Sequence, residues 1–152
     1  MISTAATTTA TASPASRLRF AVARMARLLR QQDQSGFGPT VTAALATIEQ
    51  HGPISLGEIA TRERVAPPSI TKVVEKLVAN GLATREVDPN DRRSSLVRIT
   101  RQGRRLLDTS RTKRTEWLAG RLDALTPDER ARLDAAMDVL EKIIAVPEAD
   151  AR

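Results

Sequence analysis

The chain has 152 residues, 41% apolar but only 2% aromatic (Phe20, Phe37 and Trp117), so a single modest core must be assembled from Ala, Leu, Val and Ile. Cysteine is absent and His51 is the one histidine, which excludes disulfides, a thiol nucleophile, thiolate metal sites and any site that needs two imidazoles. A net charge of +6 and a pI near 10.9 favour a polyanionic partner, and no apolar run approaches the roughly 18 residues of a membrane span.

Residues 1–15 are mostly Ala, Thr and Ser and are expected to form a disordered tail. They lack the basic start and apolar centre of a secretory signal. Arg17, Arg19, Arg24, Arg27 and Arg30, with no acid before Asp33, leave a transit peptide as an alternative. The same stretch predicts a helix from Ser16 to Gln32, where Leu18, Val22, Met25 and Leu29 step by 4, 3 and 4 into a heptad-like stripe. Gly38-Pro39 opens a second helix with Pro in its first turn, and His51-Gly52-Pro53 ends it. His51 reads as a surface residue at a helix C-terminus. Ser55-Leu56-Gly57-Glu58 is a capping box that starts a short helix to about Thr61. Pro67-Pro68 opens the next, with Ile70, Val73, Val74 and Leu77 on its inner face and Asn80-Gly81 as its stop.

The period then changes from 3.6 to 2. Leu82–Val87 and Leu96–Thr100 predict a hairpin whose long polar tip carries the turn signal Asp88-Pro89-Asn90-Asp91. A long helix is expected from Arg101 to Asp123, with Trp117 at a helix junction. A second capping box, Thr126-Pro127-Asp128-Glu129, starts a last helix in which Leu133, Met137, Leu140 and Ile144 again step 4, 3, 4 before Pro147. The two stripes read as a dimer seam, with an intramolecular core as the alternative. The organisation expected is a tail (1–15), an N-terminal dimerisation helix (16–36), a DNA-binding domain (37–103), C-terminal dimerisation helices (104–146) and a tail (147–152).

Two short helices followed by a basic hairpin form the pattern of a winged helix-turn-helix. The fold class expected is mainly α with a small β-hairpin wing and intertwined terminal dimerisation helices. Seven arginines against three acids lie between Arg85 and Arg105. On the second short helix Ser69, Thr71 and Lys72 offer hydroxyls and a cation to base edges and phosphates of a major groove. Pro68 and Lys76 complete the set on that helix. The hairpin tip, Asp91-Arg92-Arg93, would reach a minor groove, where a guanidinium gains from the negative potential of narrow A·T-rich DNA; Arg98 lies on the strand behind it. A plain solvated face is the alternative for the arginines, and ordinary helix-start chemistry for Ser69 and Thr71.

Residues 54–103 resemble the multiple-antibiotic-resistance regulator (MarR) family of bacterial transcription factors. The matching stretches are Ile54–Ala60, Pro68–Lys72, Leu77–Leu82 and, most specifically, Asp91-Arg92-Arg93-Ser94-Ser95-Leu96-Val97-Arg98-Ile99-Thr100-Arg101-Gln102-Gly103. This last string is similar to the family's Asp-x-Arg wing followed by a Leu-Thr-x-x-Gly passage, with Ile99 in place of Leu. A departure is Pro67-Pro68, where a capping Ser or Asp is commoner. The resemblance implies an obligate homodimer on a pseudo-palindromic operator, with Arg93 as the minor-groove arginine and Asp91 orienting the wing. It also implies repression relieved by a lipophilic or phenolic effector between the DNA-binding lobe and the dimer helices, in the bacterial cytoplasm at the nucleoid. No cofactor, metal or catalytic residue is expected: G-x-S-x-G, P-loop and H-E-x-x-H motifs are absent. Two rivals from other classes are a sequence-tolerant architectural DNA protein and an imported enzyme subunit addressed by its Arg-rich N-terminus.

Overall fold

The computed structural model describes residues 13–33, 35–91 and 93–145. The expectations for residues 1–12, for Arg92 and for the segment from 146 onward, Pro147 included, lie outside these. Helix α1 spans Pro14–Gln31 and begins two residues inside the expected tail. Ser13 and Pro14 explain the difference: the Ser13 hydroxyl accepts the Ser16 N–H, and Pro14 occupies a first-turn position that needs no donor.

Helix α2 (Pro39–His51) starts at its proline and buries Val41, Ala44, Leu45 and Ile48. Helix α3 (Leu56–Glu63) forms the capping box: Glu58 N–H donates to the Ser55 hydroxyl, and Ser55 N–H donates to the Glu58 carboxylate at 3.0 Å. The Ser55 hydroxyl and amide hold the Glu58 carboxyl below its usual range. The helix runs two residues past the expected Thr61 and closes on Arg64 in the left-handed conformation (φ 52°). Helix α4 (Pro67–Ala79) follows and packs on α2 and α3.

The hairpin is β2 (Ala83–Val87) with β3 (Ser95–Ile99), in antiparallel register from Ala83 opposite Ile99 to Val87 opposite Ser95. A two-residue strand, β1 (Ile54–Ser55), pairs with the other edge of β3 and makes a three-stranded sheet of order β1-β3-β2. No sequence signal marks β1, because two residues show no period; the N-cap chemistry of Ser55 is visible in the sequence and its strand pairing is not. The core is aliphatic throughout, with Leu45, Ile48, Ile59, Ile70, Leu77 and Val97 among its fully buried side chains.

Helix α5 (Arg101–Leu122) leaves the sheet and α6 (Pro127–Ala145) follows it. The expected boundary between residues 103 and 104 therefore falls inside α5, whose first turns belong to the lobe: Gly103 and Leu107 are buried. Neither α1 nor α6 buries a single residue in the protomer. Leu18, Val22, Met25, Met137 and Ile144 are exposed, and Leu29, Leu133 and Leu140 are half-buried. An intramolecular core is thus not what these stripes build. Trp117 is half-buried beneath the Arg121 guanidinium, 4.7 Å from its ring centre.

Candidate nucleic-acid interface

Helix α4 opens on Ala66-Pro67-Pro68 with no side-chain cap, and the Ser69 and Ile70 N–H groups donate to the Ala66 carbonyl instead. The two prolines lack N–H groups, so the first turn leaves few donors orphaned despite the missing Ser or Asp cap. Ile70, Val74 and Leu77 are buried and fix which side faces inward. Pro68, Ser69, Lys72 and Lys76 are exposed.

Two of the expected DNA contacts are already engaged in the protein. The Thr71 hydroxyl donates to the Pro67 carbonyl at 3.1 Å, so its proton is used and only its lone pairs and methyl remain. The Lys76 ammonium sits 5.5 Å from the centre of the Phe37 ring, on the flank toward the loop before α2. Glu75, not singled out in the sequence, is exposed on the side of α4 turned away from the buried face and lines the cleft toward the hairpin. The i, i+3 spacing from Lys72 was the available signal. Arg85 on β2 was not singled out either, and it lines the cleft between α4 and the hairpin.

The wing tip is a built turn. Asp88 N–H donates to the Ser94 carbonyl at 3.1 Å, and Ser94 N–H to the Asp91 carbonyl at 2.9 Å. The Asp88 carboxylate accepts the Asn90 N–H at 2.8 Å, and the Asp91 carboxylate accepts the Arg93 N–H at 3.0 Å. Asp91 therefore fixes the backbone of Arg93. The Arg93 guanidinium is exposed and makes no ion pair among the described residues. Arg98, by contrast, lies 3.7 Å from Glu86 across the hairpin, so its charge is partly compensated.

The Ile99-Thr100-x-x-Gly103 passage locks the wing to α5. Thr100 N–H donates to the Leu82 carbonyl at 3.0 Å, its hydroxyl donates to the Gly81 carbonyl at 2.7 Å, and the same oxygen accepts the Gly103 N–H at 3.0 Å. A Cβ on Gly103 would lie 2.2 Å from the Leu82 carbonyl oxygen, so only glycine permits this approach. Farther along, Arg114 pairs with Asp33 at 3.0 Å and Arg111 with Glu49, tying α5 to the α1–α2 connection and to α2. Burial pushes the Asp33 carboxyl up, but the Ser35 hydrogen bonds and the Arg114 guanidinium outweigh it and hold the group below its ordinary range. Beside this tie lies a cleft of about 280 Å³ lined by Asp33, Ser35, Leu106, Ser110 and Lys113. The buried Ser110 hydroxyl has no hydrogen-bond partner among the described residues.

Among the described residues no cluster of His, Asp and Glu is arranged to hold a metal, and no helix is long and apolar enough to cross a membrane. The model of the MarR family matches residues 39–95, which span the second helix through the wing. An HTH-type transcriptional regulator of Mycobacterium leprae is 40% identical over 131 residues, covering 86% of this chain and 92% of the relative. The chain belongs to the MarR family.

Solved structures share the fold of this MarR-family protein. A Pseudomonas aeruginosa protein, solved as a candidate transcriptional regulator, is 29% identical and superposes with a TM-score of 0.76 over 88% of this chain and 94% of the other. A mutant of Staphylococcus aureus MepR bound to an oligodeoxyribonucleotide has the same fold at 17% identity, with a TM-score of 0.68 over 88% of this chain and 99% of the other. The family is one of DNA-binding transcriptional regulators with a winged helix-turn-helix, not of enzymes.

Proposed function

We propose that this MarR-family regulator acts as a homodimeric repressor that grips a pseudo-palindromic operator and is released from it by a small lipophilic or phenolic effector. The observation that carries the DNA contact is the wing tip. Asp91 holds the Arg93 backbone while the guanidinium, unpaired among the described residues, is exposed on a turn, the state a minor-groove probe needs. The uncovered apolar faces of α1 and α6 support a second copy as the partner. Two copies would place two α4 helices at successive major grooves, about 34–36 Å apart.

Release follows from population shift. An effector bound between lobe and dimer helices favours a lobe spacing that no longer matches the grooves. The cleft beside the Asp33–Arg114 tie supports such a site, since Leu106 gives it an apolar wall and Ser110 a hydroxyl with no partner among the described residues. A protein with these partners works at the nucleoid in the bacterial cytoplasm.

The test is to recover the genomic DNA that the purified protein retains and to titrate it against random duplex. A regulator prefers its operator by about 10³-fold or more. Near-equal binding of all duplexes would instead establish the architectural reading.

A further inference from the structure

We propose that Glu75 reads a base in the operator, accepting a hydrogen bond from an exocyclic amino group in the major groove and rejecting half-sites that lack one. This rests on α4 being the helix that enters the groove. With Ile70, Val74 and Leu77 buried, the helical period of about 100° per residue directs Pro68, Lys72, Glu75 and Ala79 away from the core. Glu75 is the only acid on α4, and it makes no hydrogen bond or ion pair among the described residues. Lys72 lies one turn before it. Arg85 lines the same cleft, about 270 Å³ between α4 and β2, yet neither cation is within ion-pair distance.

An unpaired carboxylate on this face meets a polyanion carrying one charge per ~1.7 Å of duplex. Every phosphate repels it, and so do the acceptor atoms of guanine and thymine. The groove offers it donors at two places only, cytosine N4 and adenine N6, and cytosine is the usual match for a carboxylate. Glu75 thus selects by attraction to one base edge and by repulsion from the others.

The experiment is selection from a randomised duplex library at fixed salt with the full-length protein, Glu75→Ala and Glu75→Gln, each checked for fold and oligomeric mass. The wild-type motif is expected to contain one position per half-site where cytosine, or adenine, is preferred by about tenfold or more. In Glu75→Ala that preference falls below about twofold while the other positions persist, and affinity for random duplex rises. Glu75→Gln, isosteric and able to both donate and accept, shifts the preference toward adenine. An unchanged motif in Glu75→Ala overturns the assignment. A loss spread evenly over all positions also overturns it, because that is the signature of a residue that merely positions Lys72 or Arg85. A wild-type pool with no preferred base anywhere overturns the regulator reading along with it.

Discussion

Replacing Arg93 by alanine separates DNA contact from folding. The residue sits on the 88–94 turn, is exposed, and contributes to the fold only through its backbone N–H to Asp91, which alanine retains. The stability of Arg93→Ala should therefore lie within about 0.5 kcal/mol of wild type, with the oligomeric mass unchanged. Operator affinity should fall by about 1–3 kcal/mol per half-site, hence about 2–6 kcal/mol for a dimer that inserts two wings. Each cation lost from the interface reduces the slope of log K against log salt by about 0.9, so with two wings the slope should shrink by roughly 2. Arg98→Ala should do less, because Glu86 already compensates that charge. Fluorescence-anisotropy titration at two salt concentrations reads both quantities. Wild-type affinity and slope in Arg93→Ala of unchanged oligomeric mass would rule out a DNA contact by this guanidinium.

Gly103→Ala adds about 1 kcal/mol of helix propensity but drives a Cβ to 2.2 Å from the Leu82 carbonyl and 2.8 Å from Ile99, so urea unfolding should show a net loss of about 2–4 kcal/mol; wild-type stability would contradict the packing. Asp33→Asn breaks the tie to Arg114 and should cost about 1–3 kcal/mol at pH 7. Because the folded Asp33 value is lowered, that contribution is complete above the ordinary value of about 4 and is lost as pH falls through the folded one, so wild type and variant should converge in acid; a gap that widened there would invert the assignment. Val22→Glu changes a residue exposed in the protomer, so folding survives while sedimentation should show dimer dissociation strengthened tenfold or more; an unaltered dimer would remove α1 from the seam. An effector should raise the melting temperature and weaken operator binding over the same concentration range, and stabilisation without weakening would break the linkage.

Local chemistry was legible where one residue type has one use. Ser55 with Glu58, Thr126 with Glu129, Pro39 and Pro67 marked helix starts that the structure reproduces. The wing string was legible for the same reason, and Thr100 and Gly103 turn out to be what locks it to α5. What the residues did not disclose depends on tertiary placement. β1 is too short to show a period and exists because β3 has a free edge. Thr71 and Lys76 looked like free polar groups until a carbonyl and an aromatic ring came within reach. The place of Glu75 relative to Ile70, Val74 and Leu77 was legible in the sequence, but that no cation pairs with it among the described residues depends on tertiary placement.

In the proposed function two copies of this chain present two α4 helices and two wings to one operator. Hydroxyl-radical footprinting of the recovered operator tests it most directly. The expected result is two half-sites of protection related by a dyad, their centres one helical turn apart (about 10–10.5 base pairs) or a multiple of it, with flanking minor-groove protection that disappears in Arg93→Ala. Continuous protection without a dyad, or a single half-site per bound protein, would contradict it.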